Sequence, residues 1–443
     1  MYDVIIIGTR AAGATTAMLL ARAGVRVLAV DRASFPSDTL STNNIQLPGV
    51  ARLARWGLLG PIAAAGTPAI GHVRFDPGPV VLEGTYPAFD GVEAVYGPRR
   101  TLLDTLLVEA AREAGAEVRE RFVVDELSVS DGRVTGIRGR SHGGGDVREQ
   151  ARLVVGADGK HSLVAKTVEA ASYEERRPLS LGYFGYWQGV PLEGGEIYGR
   201  GRRLIGAWPT NDGLVMTYVA WPAAEFHAFR RDLDRNLLAT LDLAGDLGER
   251  CRGGRRVERI YGSADLPNFF RKPYGPGWAL VGDAGLAIDP ITALGINDAL
   301  RDAELLAAAI VARPRRLRAA RAGARRLPAR ARPLRASHVP VHARARGDGS
   351  TPARAGGALP RARGSPAEDR PLPRRPRLRR LTNRLLLRRQ PPPPDRPARH
   401  PHDRARQDAP QQGGPAGRRR RRGERDSRGH GLTPARDRRG RFV

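Results

Sequence analysis

Residues 3–8 (DVIIIG) form an apolar, β-branched run, and residues 11–23 (AAGATTAMLLARA) are small and apolar at helical spacing. Gly8 permits a tight turn there, and Gly13 permits a close helix–strand contact. The helix that follows would then present unpaired N–H groups to a pyrophosphate. Arg10 stands where a middle glycine normally lets the backbone approach the phosphates. The substitution keeps the amide, and a guanidinium turned toward the ligand favours phosphate charge. Asp31 ends the next apolar run, residues 25–31 (VRVLAVD), where an acidic side chain hydrogen-bonds an adenosine ribose. The competing reading is a tightly packed βαβ unit that binds nothing. The order strand, turn, helix, strand, acid favours binding.

Two later stretches carry aspartates directly after apolar runs: LVVGADGKHSLV at 153–164 and WALVGDAGLAIDPITALGIND at 278–298. Taken singly, Asp158 and Asp283 are as suited to turn or cap duty as to ligand binding. Between these stretches, Tyr183, Tyr186, Trp187, Trp208, Tyr218 and Trp221 alternate along strand-like runs. An aromatic wall suits a planar or polycyclic ligand, and it equally suits an ordinary sheet core. Residues 268–273 (NFFRKP) read as a loop that places a basic residue near an anionic cofactor. His161 reads as a solvated loop residue. No metal-ligand spacing and no Ser/His/Asp arrangement is present, so no metal and no protein nucleophile is expected.

These residues need a frame. Residues 3–8, 25–31, 152–156 and 278–282 read as buried parallel strands, 101–114 and 295–311 as helices, and 121–140 as a hairpin turning at Ser130-Asp131-Gly132. Residues 181–222 read as a separate antiparallel sheet with turns at 193–195 and 211–213. The expected fold class is α/β: a Rossmann-like domain with a parallel sheet, interrupted by an antiparallel-sheet substrate domain. The first domain would comprise 1–75, 101–178 and 271–311, and the substrate domain 76–100 and 179–270.

Composition divides the chain near residue 311. Residues 311–443 hold 39 arginines, no lysine and nine acidic residues, whereas residues 1–310 hold 35 basic and 37 acidic. The later segment also holds 19 of the 35 prolines and one aromatic residue, Phe442. Such a segment buries too little apolar area to offset its chain entropy, so 312–443 is expected to be a disordered Arg/Pro-rich tail. One reading is a basic tail that binds nucleic acid non-specifically. The other is a GC-rich gene read out of frame, which the switch inside an otherwise good helix (NDALRDAELLAAAIVA, then RPRRLR) favours. Cys251 is the single cysteine, which rules out an intramolecular disulfide. No run approaches the ~18 apolar residues of a membrane span. A cytoplasmic protein without a membrane partner is expected.

Together, the first fingerprint, GADG and GDAGLAIDP resemble, in order and rough spacing, the landmarks of FAD-dependent monooxygenases of the para-hydroxybenzoate hydroxylase fold. Geranylgeranyl reductases and flavin halogenases share that architecture. The resemblance covers residues 1–310 and implies FAD as cofactor, with NADH or NADPH as reductant. By position it assigns Gly8, Arg10, Ala12, Gly13, Asp31 and Arg32 to the ADP half of FAD, and Asp283 after Gly282 to the ribityl chain. Pro290 and the turn through Gly295, Ile296 and Asn297 would lie against the isoalloxazine. Asp158 would serve the pyrophosphate and nicotinamide region, and Arg100 would open a helix near the FAD. Tyr186, Trp187, Trp208 and Tyr218 are the substrate-side candidates.

The implied activity is hydroxylation of an aromatic or polycyclic small molecule with O2, through a flavin C4a-hydroperoxide. The alternatives are a geranylgeranyl-type reductase of double bonds, a nucleic-acid-binding tail protein, or an inactive frameshifted product with poor solubility. The sequence departs from the family at Arg10, at Ala165 where an arginine is common, and at Ala293 where a glycine is common. The halogenase tryptophan motif and active-site lysine pattern are not evident.

Overall fold

The computed structural model describes residues 1–312, and the expectations for the basic tail lie outside the described residues. In chain order the elements that build the site begin with β1 (Tyr2–Ile7), α1 (Ala11–Arg22), β2 (Val27–Val30), α2 (Leu47–Arg55), β3 (His72–Asp76) and β4 (Leu82–Thr85). Next come α3 (Arg100–Glu113), β5 (Glu117–Arg119), β6 (Phe122–Ser130), β7 (Arg133–Ser141), β8 (Asp146–Gly156) and α4 (Leu163–Thr167). The second sheet adds β9 (Ser180–Gln188), β10 (Gly195–Arg200), β11 (Arg203–Pro209) and β12 (Leu214–Pro222). Three helices follow, α5 (Phe226–Arg230), α6 (Leu233–Leu241) and α7 (Leu247–Gly253). The chain then returns through β13 (Asn268–Arg271) and β14 (Trp278–Leu280) to α8 (Gly295–Val311).

The first sheet runs β14–β8–β1–β2–β5, and every neighbouring pair is parallel. Ile6 faces Val155 on one side and Ala29 on the other. Residues 4–6 are continuously apolar because both faces of the strand are covered. Val4, Ile6, Ala29 and Val155 pack under α1, α2, α3 and α8. Ile5, Leu28 and Val154 pack against the β6–β7–β8 meander and α4. Asp131 and Gly132, both at positive φ, supply the turn between β6 and β7.

The second sheet runs β9–β12–β11–β10–β3–β4, antiparallel except for the parallel β10–β3 pair. Its pairing with the earlier chain begins at His72, so the early segment enters this sheet before residue 76. The antiparallel sheet expected at 181–222 is followed, within the 179–270 domain segment, by α5, α6 and α7, which back one face. Leu237 and Leu241 lie one turn apart on α6 and are fully buried there, facing the sheet.

Candidate functional site

β1 stops at Ile7 because Gly8 takes φ +94°, a conformation costly for any other residue. A Cβ on Gly8 would stand 2.4 Å from the Ala157 carbonyl oxygen, and one on Gly13 would stand 1.8 Å from the Gly8 carbonyl oxygen. The turn therefore admits only glycine at both positions. Arg10 is the N-cap of α1, and no side chain caps the helix's first amides. Asp31 locks the turn from β2. Its Oδ2 accepts the Thr9 N–H at 2.7 Å and the Thr9 hydroxyl at 3.2 Å, while Oδ1 accepts the Ala33 N–H at 2.8 Å. A carboxylate has about four acceptor positions, so roughly one stays available to a ligand. Arg32 is exposed beside it.

The second motif turn abuts the first. Gly282 takes φ +58°, and a Cβ there would lie 2.9 Å from the Ala12 side chain. Asp283 opens to space on one side, yet protein crowds it on the others. Burial raises its carboxyl pKa, against the opposing pull of Arg100 and Lys160. Asp302 on α8, absent from the sequence reading, accepts the Gly282 N–H and the Arg301 guanidinium. Burial raises its pKa as well. The only sequence sign of Asp302 was its place in the 295–311 helix.

The loop after Asp283 is built around Asp289. Its Oδ1 accepts the Ile291 N–H at 3.0 Å, capping a short turn that starts at Pro290, and its own N–H donates to Asn268 Oδ1 at 2.9 Å. Ala293, where the family often has glycine, sits at φ +51° in the left-handed region. α8 then begins at Gly295 with no side-chain cap, so a second helix N-terminus offers free amides. Ile296 is buried in the core beneath that turn. Asn297 is buried too: its Oδ1 accepts the Gly49 N–H of α2 at 2.9 Å, so its amide fastens helices together.

Arg100 and Asp158 turn to protein partners in this structure. Arg100 grips the fully buried Asp104 one turn along α3, with Nη2 at 2.8 and 3.0 Å from the two carboxylate oxygens. Asp158 Oδ2 accepts the Leu163 N–H at 2.7 Å and caps α4, while its Oδ1 is buried without a hydrogen-bond partner. Of the residues expected to form a loop at 268–273, Asn268–Arg271 form β13 instead. Its Arg271 donates to the Ala284 carbonyl at 3.0 Å and the Lys160 carbonyl at 3.3 Å, joining the two aspartate turns. Desolvation holds its guanidinium below the usual arginine pKa. His161 is exposed, 2.6 Å from Asp265.

The aromatic residues divide by strand alternation. Tyr186, Trp208 and Tyr218 share the sheet face that also carries Phe184 and Met216, and Ile70 and Val95 from outside the sheet pack against it. Trp187, expected on the substrate side, points to the opposite face. There it packs with Phe229 and Leu237 beneath the helices and donates to Thr217 Oγ1 at 2.8 Å. That placement is the two-residue period acting on its neighbour Tyr186. Tyr183 and Trp221 share the helix-backed core. Trp208 is held by its indole N–H on Asn43 Oδ1 at 3.2 Å. The Tyr218 hydroxyl is buried without a partner, and desolvation raises its pKa.

Arg99, unnoticed in the sequence, lies with its guanidinium carbon 3.8 Å from the Tyr186 ring centroid and pairs with Glu258 at 2.7 Å. The family resemblance assigns a role to the adjacent Arg100 and none to Arg99.

The residues present fit FAD. Two motif turns in contact line up one uncapped helix N-terminus with an aspartate facing open space, and a second uncapped helix begins at the end of the loop that follows. That set suits an extended ligand with a diphosphate and polyhydroxyl chain.

The model of a family described as "FAD binding domain" matches residues 1–228. Among curated proteins, the chain is 24% identical over 316 residues to the digeranylgeranylglycerophospholipid reductase of Methanocella arvoryzae, covering 68% of this chain and 74% of that one. It is 29% identical over 351 residues to the phenazine 1,6-dicarboxylic acid hydroxylase PhzS of Lysobacter antibioticus, covering 69% and 81%. Among solved structures, the myxobacterial chondrochloren halogenase CndH superposes with a TM-score of 0.64 at 24% identity, covering 70% of this chain and 74% of that one. Pseudomonas aeruginosa PqsL in complex with 2-aminobenzoylacetate superposes with a TM-score of 0.61 at 23% identity, covering 71% and 87%. At such identities the structures establish the fold.

Proposed function

The chain belongs to the FAD-binding domain family of flavin-dependent enzymes, and on that premise we propose that it is an NADH- or NADPH-dependent monooxygenase. Its substrate is an aromatic or polycyclic small molecule, with O2 as co-substrate, in the cytoplasm. No helix among the described residues is long and apolar enough to cross a membrane.

The reading rests above all on the contact between Gly282 and Ala12, which lets one ligand span both motif turns. The α1 N-terminus, with Gly8, Ala12 and Gly13, holds the pyrophosphate, and Asp31, flanked by Arg32, holds the adenosine ribose. Asp283 binds the ribityl hydroxyls. Pro290 and the first amides of α8, from Gly295 onward, border the ring system, where a helix N-terminus favours negative charge. Bound FAD supplies the electron transfer and oxygen activation, and the protein supplies placement and a dry site. Tyr186 and Tyr218, with Phe184, give that site an apolar wall.

A reductase acting on isolated double bonds is the second reading, favoured by the similarity to the Methanocella arvoryzae reductase over two thirds of the chain. The test is NADH and NADPH oxidation by the purified full chain with FAD and a panel of planar aromatics. O2 uptake with a product one oxygen atom heavier supports hydroxylation. Anaerobic turnover to a product two hydrogens heavier overturns it in favour of the reductase.

A further inference from the structure

Arg10 occupies a glycine position of the dinucleotide turn, but its side chain is already committed elsewhere. Nη1 donates to Asp104 Oδ2 at 2.7 Å and to the Ser37 carbonyl at 3.3 Å. Nη2 donates to Ser37 Oγ at 3.0 Å and to the Asp38 carbonyl at 2.9 Å. A guanidinium has five N–H donors, so four such bonds leave only Nε–H for any phosphate. The group also lies 5.6 Å from the Phe35 ring centroid. Backbone strain is absent, because Arg10 sits in the extended region at φ −80°.

Segment 37–43, which Arg10 grips, runs from the dinucleotide turn to the aromatic sheet. Its far end is held as firmly as its near end. Asn43 is fully buried at φ +46°. Its Nδ2 donates to the Gly97 carbonyl at 2.9 Å and its Oδ1 accepts the Trp208 indole N–H at 3.2 Å. Near the start of the segment, Asp38 lies 3.5 Å from Arg99, the residue stacked on Tyr186.

We propose that Arg10 is a positioning residue that anchors segment 37–43 between the dinucleotide turn and the aromatic face, and does not serve as a pyrophosphate ligand. Asp104 completes the anchor. It accepts Arg10 and Arg100 together, so its single negative charge orients both cations. The segment then fixes Arg99 over Tyr186, and the geometry of the cofactor turn sets the geometry of the substrate wall. The part concerning pyrophosphate rests on the FAD reading; the part concerning the segment does not.

The experiment compares the wild-type full chain with Arg10→Gly and Arg10→Lys by FAD titration and by amide hydrogen exchange over residues 37–44, with and without FAD. Gly restores the usual turn residue, while Lys keeps the charge and loses the fork. The expected result is FAD affinity within about threefold of wild type in both variants. Exchange over 37–44 is expected to be faster by about tenfold or more in both, with or without FAD. Unchanged exchange in the variants overturns the anchor. An affinity loss of about thirtyfold or more in Arg10→Gly that Arg10→Lys restores makes Arg10 a phosphate ligand instead. If Arg10→Gly does not fold, Arg10→Lys alone decides through the exchange of 37–44. If the wild-type chain takes up no FAD, the FAD reading fails while the exchange comparison still tests the anchor.

Discussion

The Ser180 hydroxyl donates to Asp289 Oδ2 at 2.5 Å, and both side chains are buried. Ser180 opens the first long strand of the aromatic sheet, and Asp289 caps the turn leading into α8. One hydrogen bond therefore joins the substrate wall to the loop beside the expected flavin. Hydrogen bonds to charged groups contribute about 1.5–3 kcal/mol, so Ser180→Ala should lower stability by that order. Urea denaturation followed by tryptophan fluorescence measures it, and an unchanged midpoint would show the bond to be idle.

Ala293 gives a prediction of the opposite sign. A non-glycine residue in the left-handed region costs about 1–2 kcal/mol, whereas glycine adds about 0.5–1 kcal/mol of unfolded-state entropy. Ala293→Gly should thus raise stability by about 1 kcal/mol or less, seen as a small rise in Tm.

Tyr186 and Trp187 should separate cleanly. Trp187→Phe removes a hydrogen bond and volume from the helix-backed core, so it should lower Tm while KM for an accepted aromatic stays near wild type. Tyr186→Ala changes the opposite face and the footing of Arg99, so it should raise KM in the same assay. Equal KM effects from both would contradict the assignment of faces.

Much of this arrangement was legible in the sequence, and the limits have physical causes. Gly8, Gly13 and Asp31 announced the first turn because glycine and a strand-end acid have few other reasons to stand at that spacing. The strands at 3–8 and 152–156 were legible because burial on both faces leaves continuous apolar runs. Trp187 was misplaced because aromatic identity alone does not tell one face of a sheet from the other. α6 went unassigned because the four-residue spacing of Leu233, Leu237 and Leu241 fits one face of a strand as well as one face of a helix. Arg99, Asp38 and Asn43 were invisible because their partners lie far along the chain. Asp104 is not singled out by the sequence either, although it stands four residues after Arg100 on an expected helix, a spacing that brings side chains together.

Asp302 yields a pH dependence. Its folded pKa is raised above the 3.8 of a free aspartate, chiefly by burial. A raised carboxyl contributes stability that is fully present below the unfolded pKa and is lost as pH rises through the folded pKa. Asp302→Asn does not titrate, so the stability difference, wild type minus variant, should fall as pH rises from 4 upward. Denaturation midpoints for both proteins across that range supply the check, and parallel curves would contradict it.

Cys251, the single cysteine, is fully buried, and desolvation pushes its thiol up to about 12. The thiolate is the reactive form, so a disulfide reagent at pH 8 should leave the native chain unmodified and label one thiol per chain in denaturant. Rapid labelling of the native protein would show that the core beneath α7 opens readily.

Titration of the purified full chain with FAD decides whether the two motif turns form one FAD site. Saturation is expected at one FAD per chain, with absorption bands at ~370 and ~450 nm that survive gel filtration, from the cofactor that carries the chemistry. A folded chain that emerges colourless, with no saturable change in flavin absorbance or fluorescence, would contradict it.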